Sequence, residues 1–163
     1  MTRIALDSNV LAYLAGVSRS GEDEPKITEA RSLIRRLADH VSLIAPAQAM
    51  GKLFVVLRRS GASADEARSI LIEFVDAFGT SASESSSVLA AADLVVDHKL
   101  QFWDSLILTA AANAGCSLLL SEDMQSGFVT RGVTIVNPFA EPLHPKLAAA
   151  SSKIAGQSLG WWS

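Results

Sequence analysis

The 163-residue chain predicts an α/β fold: a parallel sheet flanked by helices on both faces. Three observations carry this. Short aliphatic runs alternate with longer segments of helical period, the pattern of a sheet whose strands are joined by helical crossovers. Two of the runs, "RIALD" and "CSLLLSED", end in acid, as strands do when their carboxyl ends open onto a site. At 49% apolar and 19% charged residues, the chain can bury a core for one domain without disulfides or structural metal.

The elements follow in order. "RIALD" is a short buried strand, and Asp7 or Ser8 caps a helix through "NVLAYLAG". "VSRSGEDEPK" is a polar loop. Thr28 opens a helix through "EARSLIRRLADH" with Ile34, Leu37 and Val41 on one stripe. "VSLIAP" is a second strand, stopped by Pro46. "AQAMGKLFVVLRR" is an amphipathic helix with Ala49, Met50, Leu53, Phe54, Val56 and Leu57 on one arc. Asp65 starts the next helix, with Ala67, Ile70, Leu71, Phe74, Val75 and Phe78 inward. "SASESS" holds a weak strand, and helices follow through "SVLAAADLVVDHK" and "FWDSLILTAAANAG", the latter stopped by Gly115. "CSLLLSED" and "VTIVNP" are the last strands. Residues 1–139 form the domain, and 140–163 form an Ala/Ser-rich tail that docks through Trp161 and Trp162 or stays mobile.

A net charge of −3 gives no global reason to bind nucleic acid, so any such contact needs a local basic patch. Arg35, Arg36, Arg58, Arg59, His98 and Lys99 are candidates, each read first as a solvated face. The lone Cys116 cannot form an internal disulfide and reads as a reduced core thiol, which fits a reducing cytosol. Asp7 interrupts any signal-peptide apolar region, and "LILTAAANAGCSLLL" is too short to span a bilayer. A soluble, cytoplasmic protein is expected. No G-x-G-x-x-G follows the first strand, which argues against a nucleotide cradle.

Asp7 and Asp123 fall at the strand ends where sites form. Asp104, at the first turn of a strongly apolar helix, has two readings: a cap or helix-dipole contact, or a ligand facing the same edge. Three converging carboxylates repel one another, and a divalent cation removes that cost. Magnesium suits such a set, with manganese as its substitute, and a metal held there orients water and stabilises charge on a phosphate. The chemistry is that of a metal-dependent phosphodiesterase.

"ALDSNVLAYL", "APAQAMGKLFVVLRRSG", "LQFWDSLILTAAANAGCSLLLSED" and "GVTIVNPF", in that order and spacing, resemble a PIN domain, most of all the VapC-type toxins of bacterial toxin–antitoxin pairs. The resemblance runs from about Arg3 to Phe139. It implies a PIN-like (Rossmann-like) sheet and a magnesium-dependent endoribonuclease. It also implies a small DNA-binding antitoxin as partner, and a homodimer. Three members of the family's acidic quartet map onto Asp7, Asp104 and Asp123, the expected metal and catalytic residues. Asn9 and Ser121 match supporting polar positions. The fourth member, a glutamate, is replaced by Lys52.

On its helix Lys52 sits at the border of the apolar face, where a lysine can lie along the surface with its ammonium in water. In the glutamate's place it instead puts a cation among the aspartates. Two unit charges ~4 Å apart interact by about 4 kcal/mol at an effective dielectric near 20, enough to weaken metal binding strongly. Glu122 is the carboxylate best placed in sequence to compensate, whereas Asp93 and Asp97 read as solvated. Trp103 could stack on a base, although a core role is the first reading. An endoribonuclease toxin impaired at Lys52 is therefore expected; the alternative is an inactive PIN-like module that binds antitoxin or RNA.

Overall fold

The structure, a computed structural model, describes residues 1–151. Trp161 and Trp162 lie outside the described residues. Six strands form one sheet in the order β3-β2-β1-β4-β6-β5: β1 (Arg3–Leu6), β2 (Ser42–Pro46), β3 (Gly79–Ser81), β4 (Leu118–Leu120), β5 (Val129–Thr130) and β6 (Val133–Val136). All pairs are parallel except β5 with β6. The central strands are buried residue after residue rather than alternately, as expected of a sheet covered on both faces.

The covering helices are α1 (Ser8–Leu14), α2 (Glu24–Ala38), α3 (Ala47–Arg59), α4 (Ala64–Ala77), α5 (Ser85–His98) and α6 (Phe102–Asn113). The chain goes from β1 outward to β2 and β3, then returns to place β4 and β6 on the other side of β1. The carboxyl ends of β1 and β4 therefore flank the point where strand order reverses, the place where open α/β sheets form sites. α6 is buried continuously from Ser105 to Ala111, which makes it the central helix of its layer. Gly115 ends it at φ +75°, a conformation that a side chain would strain.

Several sequence expectations are corrected. α2 begins at Glu24, a turn before Thr28, because Pro25 occupies its first turn, where a missing N–H costs nothing. The third strand is Gly79–Ser81, which shares only Ser81 with "SASESS". The sheet is not wholly parallel: β5, only two residues long, adds an antiparallel edge. Val75 is exposed, and of the α4 residues expected inward only Ala67 is fully buried. The described part of the tail docks, since Leu147 is completely buried in the core and Lys146 Nζ donates to Thr134 Oγ1 at 2.6 Å. Cys116 is a free buried thiol, its pKa pushed up to about 11 by burial. Among the described residues no helix is long and apolar enough to cross a membrane.

Candidate active site

Asp7 leaves β1 as the N-cap of α1 and is 2% exposed. Its Oδ1 accepts from the Ser8 backbone N–H at 2.7 Å; its Oδ2 accepts from Ser121 Oγ at 2.7 Å and from Asn9 Nδ2 at 3.2 Å. Burial raises its pKa. The hydrogen bonds from Ser121 and Ser8 oppose that rise, Asp104 adds to it, and Lys52 reduces it. Both Asp104 and Lys52 thus lie within electrostatic reach of Asp7.

Asn9 ties the two strand ends together. Its Nδ2 lies 3.3 Å from Ser121 Oγ and 3.4 Å from Asp123 Oδ2, and its Oδ1 accepts from the Glu122 backbone N–H at 3.2 Å. Ser121, fully buried, also accepts from the Met124 backbone N–H at 3.2 Å. Asn9 and Ser121 both donate to the Asp7 carboxylate.

The two outer aspartates are held by cations. Lys52 Nζ donates to Asp104 Oδ1 at 3.0 Å, between side chains 36% and 25% exposed. Arg19 Nη2 donates to Asp123 Oδ2 at 2.8 Å, and that hydrogen bond, followed by the carboxylate's charge, raises the pKa of Arg19. Lys52, Asp104 and Asp123 line one cleft of about 480 Å³, together with Lys99, Gln101 and Gln125. Lys52 therefore does not turn away into solvent but engages the acidic edge.

Glu122 does not take the missing corner. Its Oε1 accepts from Tyr13 Oη and from Lys26 Nζ, each at 3.1 Å, and Lys26 also pairs with Asp23. Burial, with the Glu122 carboxylate next, pushes the Tyr13 pKa up to about 12. Asp93 and Asp97 are exposed on α5, as expected. Trp103 does not fill the core: it is 57% exposed, its ring edge-on to Phe102 at 5.3 Å. Arg58 and Arg59 are exposed at the end of α3, and Arg58 donates to the Ala62 carbonyl at 3.1 Å. Arg19 was not anticipated, because it sits in a polar loop without periodicity.

As folded, this donor set does not fit a magnesium ion. A divalent cation gains little beside cations already seated on its ligands: Lys52 holds Asp104 through Oδ1 and Arg19 holds Asp123 through Oδ2, while both oxygens of Asp7 accept from neutral donors. Among the described residues no three His, Cys, Asp or Glu side chains form a group that could hold a metal ion.

No family model matches the chain, and no curated protein matches it by sequence. Solved structures do match. VapC20 of Mycobacterium tuberculosis, described as a toxin that cleaves the sarcin–ricin loop, superposes with a TM-score of 0.59 at 14% identity, over 74% of this chain and 89% of that one. A toxin–antitoxin complex from Klebsiella pneumoniae gives 0.58 at 17%, over 83% and 98%. The chain has the fold of the VapC toxins. VapBC2 of Rickettsia felis, bound to a fragment of its promoter DNA, gives 0.57 at 12%, over 75% and 89%. With this PIN-like fold, Asp7 and Asp123 follow neighbouring strands at the reversal point, and Lys52 on α3 pairs with Asp104 at the same edge.

Proposed function

We propose that this chain is an endoribonuclease-type toxin of a toxin–antitoxin pair whose RNA-cleaving site is switched down by Lys52. Its partner is a small DNA-binding antitoxin, and it pairs as a homodimer in the cytoplasm. The likeness to toxins described as RNA-cleaving and antitoxin-bound supports the class. The observation that carries the impairment is the 3.0 Å pair between Lys52 and Asp104, which puts a cation on a carboxylate needed for metal. Magnesium or manganese would enter among Asp7, Asp104 and Asp123 only once that ammonium is removed.

The test is RNA cleavage by this protein and by Lys52→Glu across a magnesium and a manganese titration. Lys52→Glu is expected to cleave at least about tenfold faster, equivalent to about 1.4 kcal/mol of barrier, and only with metal. Equal rates for the two proteins would remove the role given to Lys52. The same ion pair also favours a second reading, a module that binds antitoxin or RNA without cutting. That reading holds if Lys52→Glu stays inert, with neither cleavage nor growth arrest.

A further inference from the structure

The cleft that fails as a metal site has the makings of a different one. Two lysines, Lys52 and Lys99, line it beside Asp104 and Asp123. Each aspartate is already matched by a cation of its own, Lys52 at 3.0 Å and Arg19 at 2.8 Å. The repulsion an incoming anion would meet is therefore offset before it arrives. Lys52 commits one of three ammonium hydrogens to Asp104. Lys99 forms no ion pair among the described residues.

The backbone of Lys99 is informative. It caps α5 in the left-handed region, φ 57° and ψ 31°, where glycine or asparagine is the residue of low cost. A lysine here accepts strain and delivers a cation to the rim of the cleft. On the first turn of α6, next to Asp104, Trp103 leaves more than half of its surface in solvent. Lysines with uncommitted ammonium hydrogens near an exposed aromatic ring are groups that bind single-stranded nucleic acid, the ammoniums taking phosphates and the ring stacking a base.

We propose that this cleft binds the phosphodiester backbone of single-stranded RNA without a metal. Lys52 and Lys99 contact phosphates, and Trp103 provides a platform for a base. Lys52 then fills the electrostatic part that a divalent ion would take against the phosphate, and the site holds RNA where it cannot readily cut it. The choice of RNA rests on the function proposed above; the metal-free binding rests on the cleft itself.

The experiment is fluorescence anisotropy of a short fluorescein-labelled oligouridylate with the full chain in EDTA, repeated over a salt series. Binding is expected to persist in EDTA. Lys52→Gln and Lys99→Gly should each reduce the slope of log affinity against log salt by about 0.7, the value for one phosphate contact on a single strand. Glycine suits the backbone at position 99, so Lys99→Gly tests the cation without threatening the fold. Trp103→Ala should weaken binding about fivefold or more, as loss of a stacked base does, at an unchanged slope. Lys52→Glu should lose the EDTA-resistant binding.

Binding that appears only with magnesium would overturn the proposal. So would parental affinity and slope in both Lys99→Gly and Trp103→Ala. A failure of Lys52→Glu to cleave RNA would instead count against the ribonuclease reading, and it leaves the EDTA measurements standing.

Discussion

Asp7 and Asp104 bring the same side chain to the same edge of the sheet, and the protein holds them by opposite means. Asp7 is sunk at the junction of β1 and α1 and surrounded by neutral donors: a backbone N–H, a serine hydroxyl and an asparagine amide. Asp104, a quarter exposed, faces an ammonium, and Asp123 farther out faces a guanidinium. Neutral donors fix a carboxylate's position without cancelling its charge, whereas a cation cancels the charge. The inner half of the site is therefore a rigid acidic anchor, and the outer half is a charge-balanced cleft. A hydrolytic metal would need both halves acidic.

The contrast breaks hardest at Ser121. This fully buried hydroxyl donates to Asp7 at 2.7 Å while accepting from the Met124 backbone N–H. Ser121→Ala leaves a buried carboxylate short of a donor and a buried N–H without its acceptor, a loss of about 1–3 kcal/mol. Urea denaturation of the two proteins measures it. A loss below about 0.5 kcal/mol would mean that water or Asn9 replaces the hydroxyl and that the anchor is looser than described.

Much of this was legible in the sequence, for local reasons. Aliphatic runs and helical periods fix the order of elements. A residue just past a strand's end has little choice but to meet the sheet's carboxyl edge, so Asp7 and Asp123, one and three residues beyond β1 and β4, could be placed there. Elements that lacked a strong local signal were misread. β3 is "GTS", with no aliphatic residue to mark it, and β5 is two residues long. Val75 shares an arc with apolar neighbours, but α4 buries only a narrow strip of that arc. The directions of Glu122 and Asp123 were not legible either. Successive side chains beyond β4 go to different sides, one toward Tyr13 and Lys26, the other into the cleft. Arg19 and the left-handed Lys99 depend on tertiary placement, which no spacing encodes.

Asp7 also predicts a pH dependence of the less familiar sign. Because burial raises its pKa in the folded protein, the folded state holds the proton more tightly than the unfolded chain. Stability therefore falls as pH rises from the ordinary carboxylate range through the folded pKa, and then levels. Asp7→Asn removes the buried charge while its carbonyl can still accept from Ser8. It should raise Tm at neutral pH, and the gain should shrink as pH is lowered toward the ordinary carboxylate range. The gain is expected to be smaller than the Ser121→Ala loss, since the new amide sets a donor against the donor of Asn9. A Tm difference that does not change with pH would show that the Asp7 carboxylate costs the fold nothing.

The smallest effect is expected at the outermost contact. Arg19 and Asp123 are 66% and 47% exposed, so solvent screens their attraction, and an exposed pair of this kind contributes less than about 1 kcal/mol. Arg19→Gln should leave denaturant stability nearly unchanged in moderate salt. Its consequence should be electrostatic: with Asp123 unmatched, the cleft becomes more acidic, and oligouridylate binding in EDTA should weaken about twofold to threefold at low salt and converge with the parent at high salt. A large stability loss would mean that Arg19 braces the loop after α1, and the balance of charge at the outer edge would then be a by-product of packing. A binding loss without a stability loss would separate the two halves of the site as drawn: an inner carboxylate whose buried charge bears on the stability of the fold, and outer ones whose charge the protein sets independently of the fold.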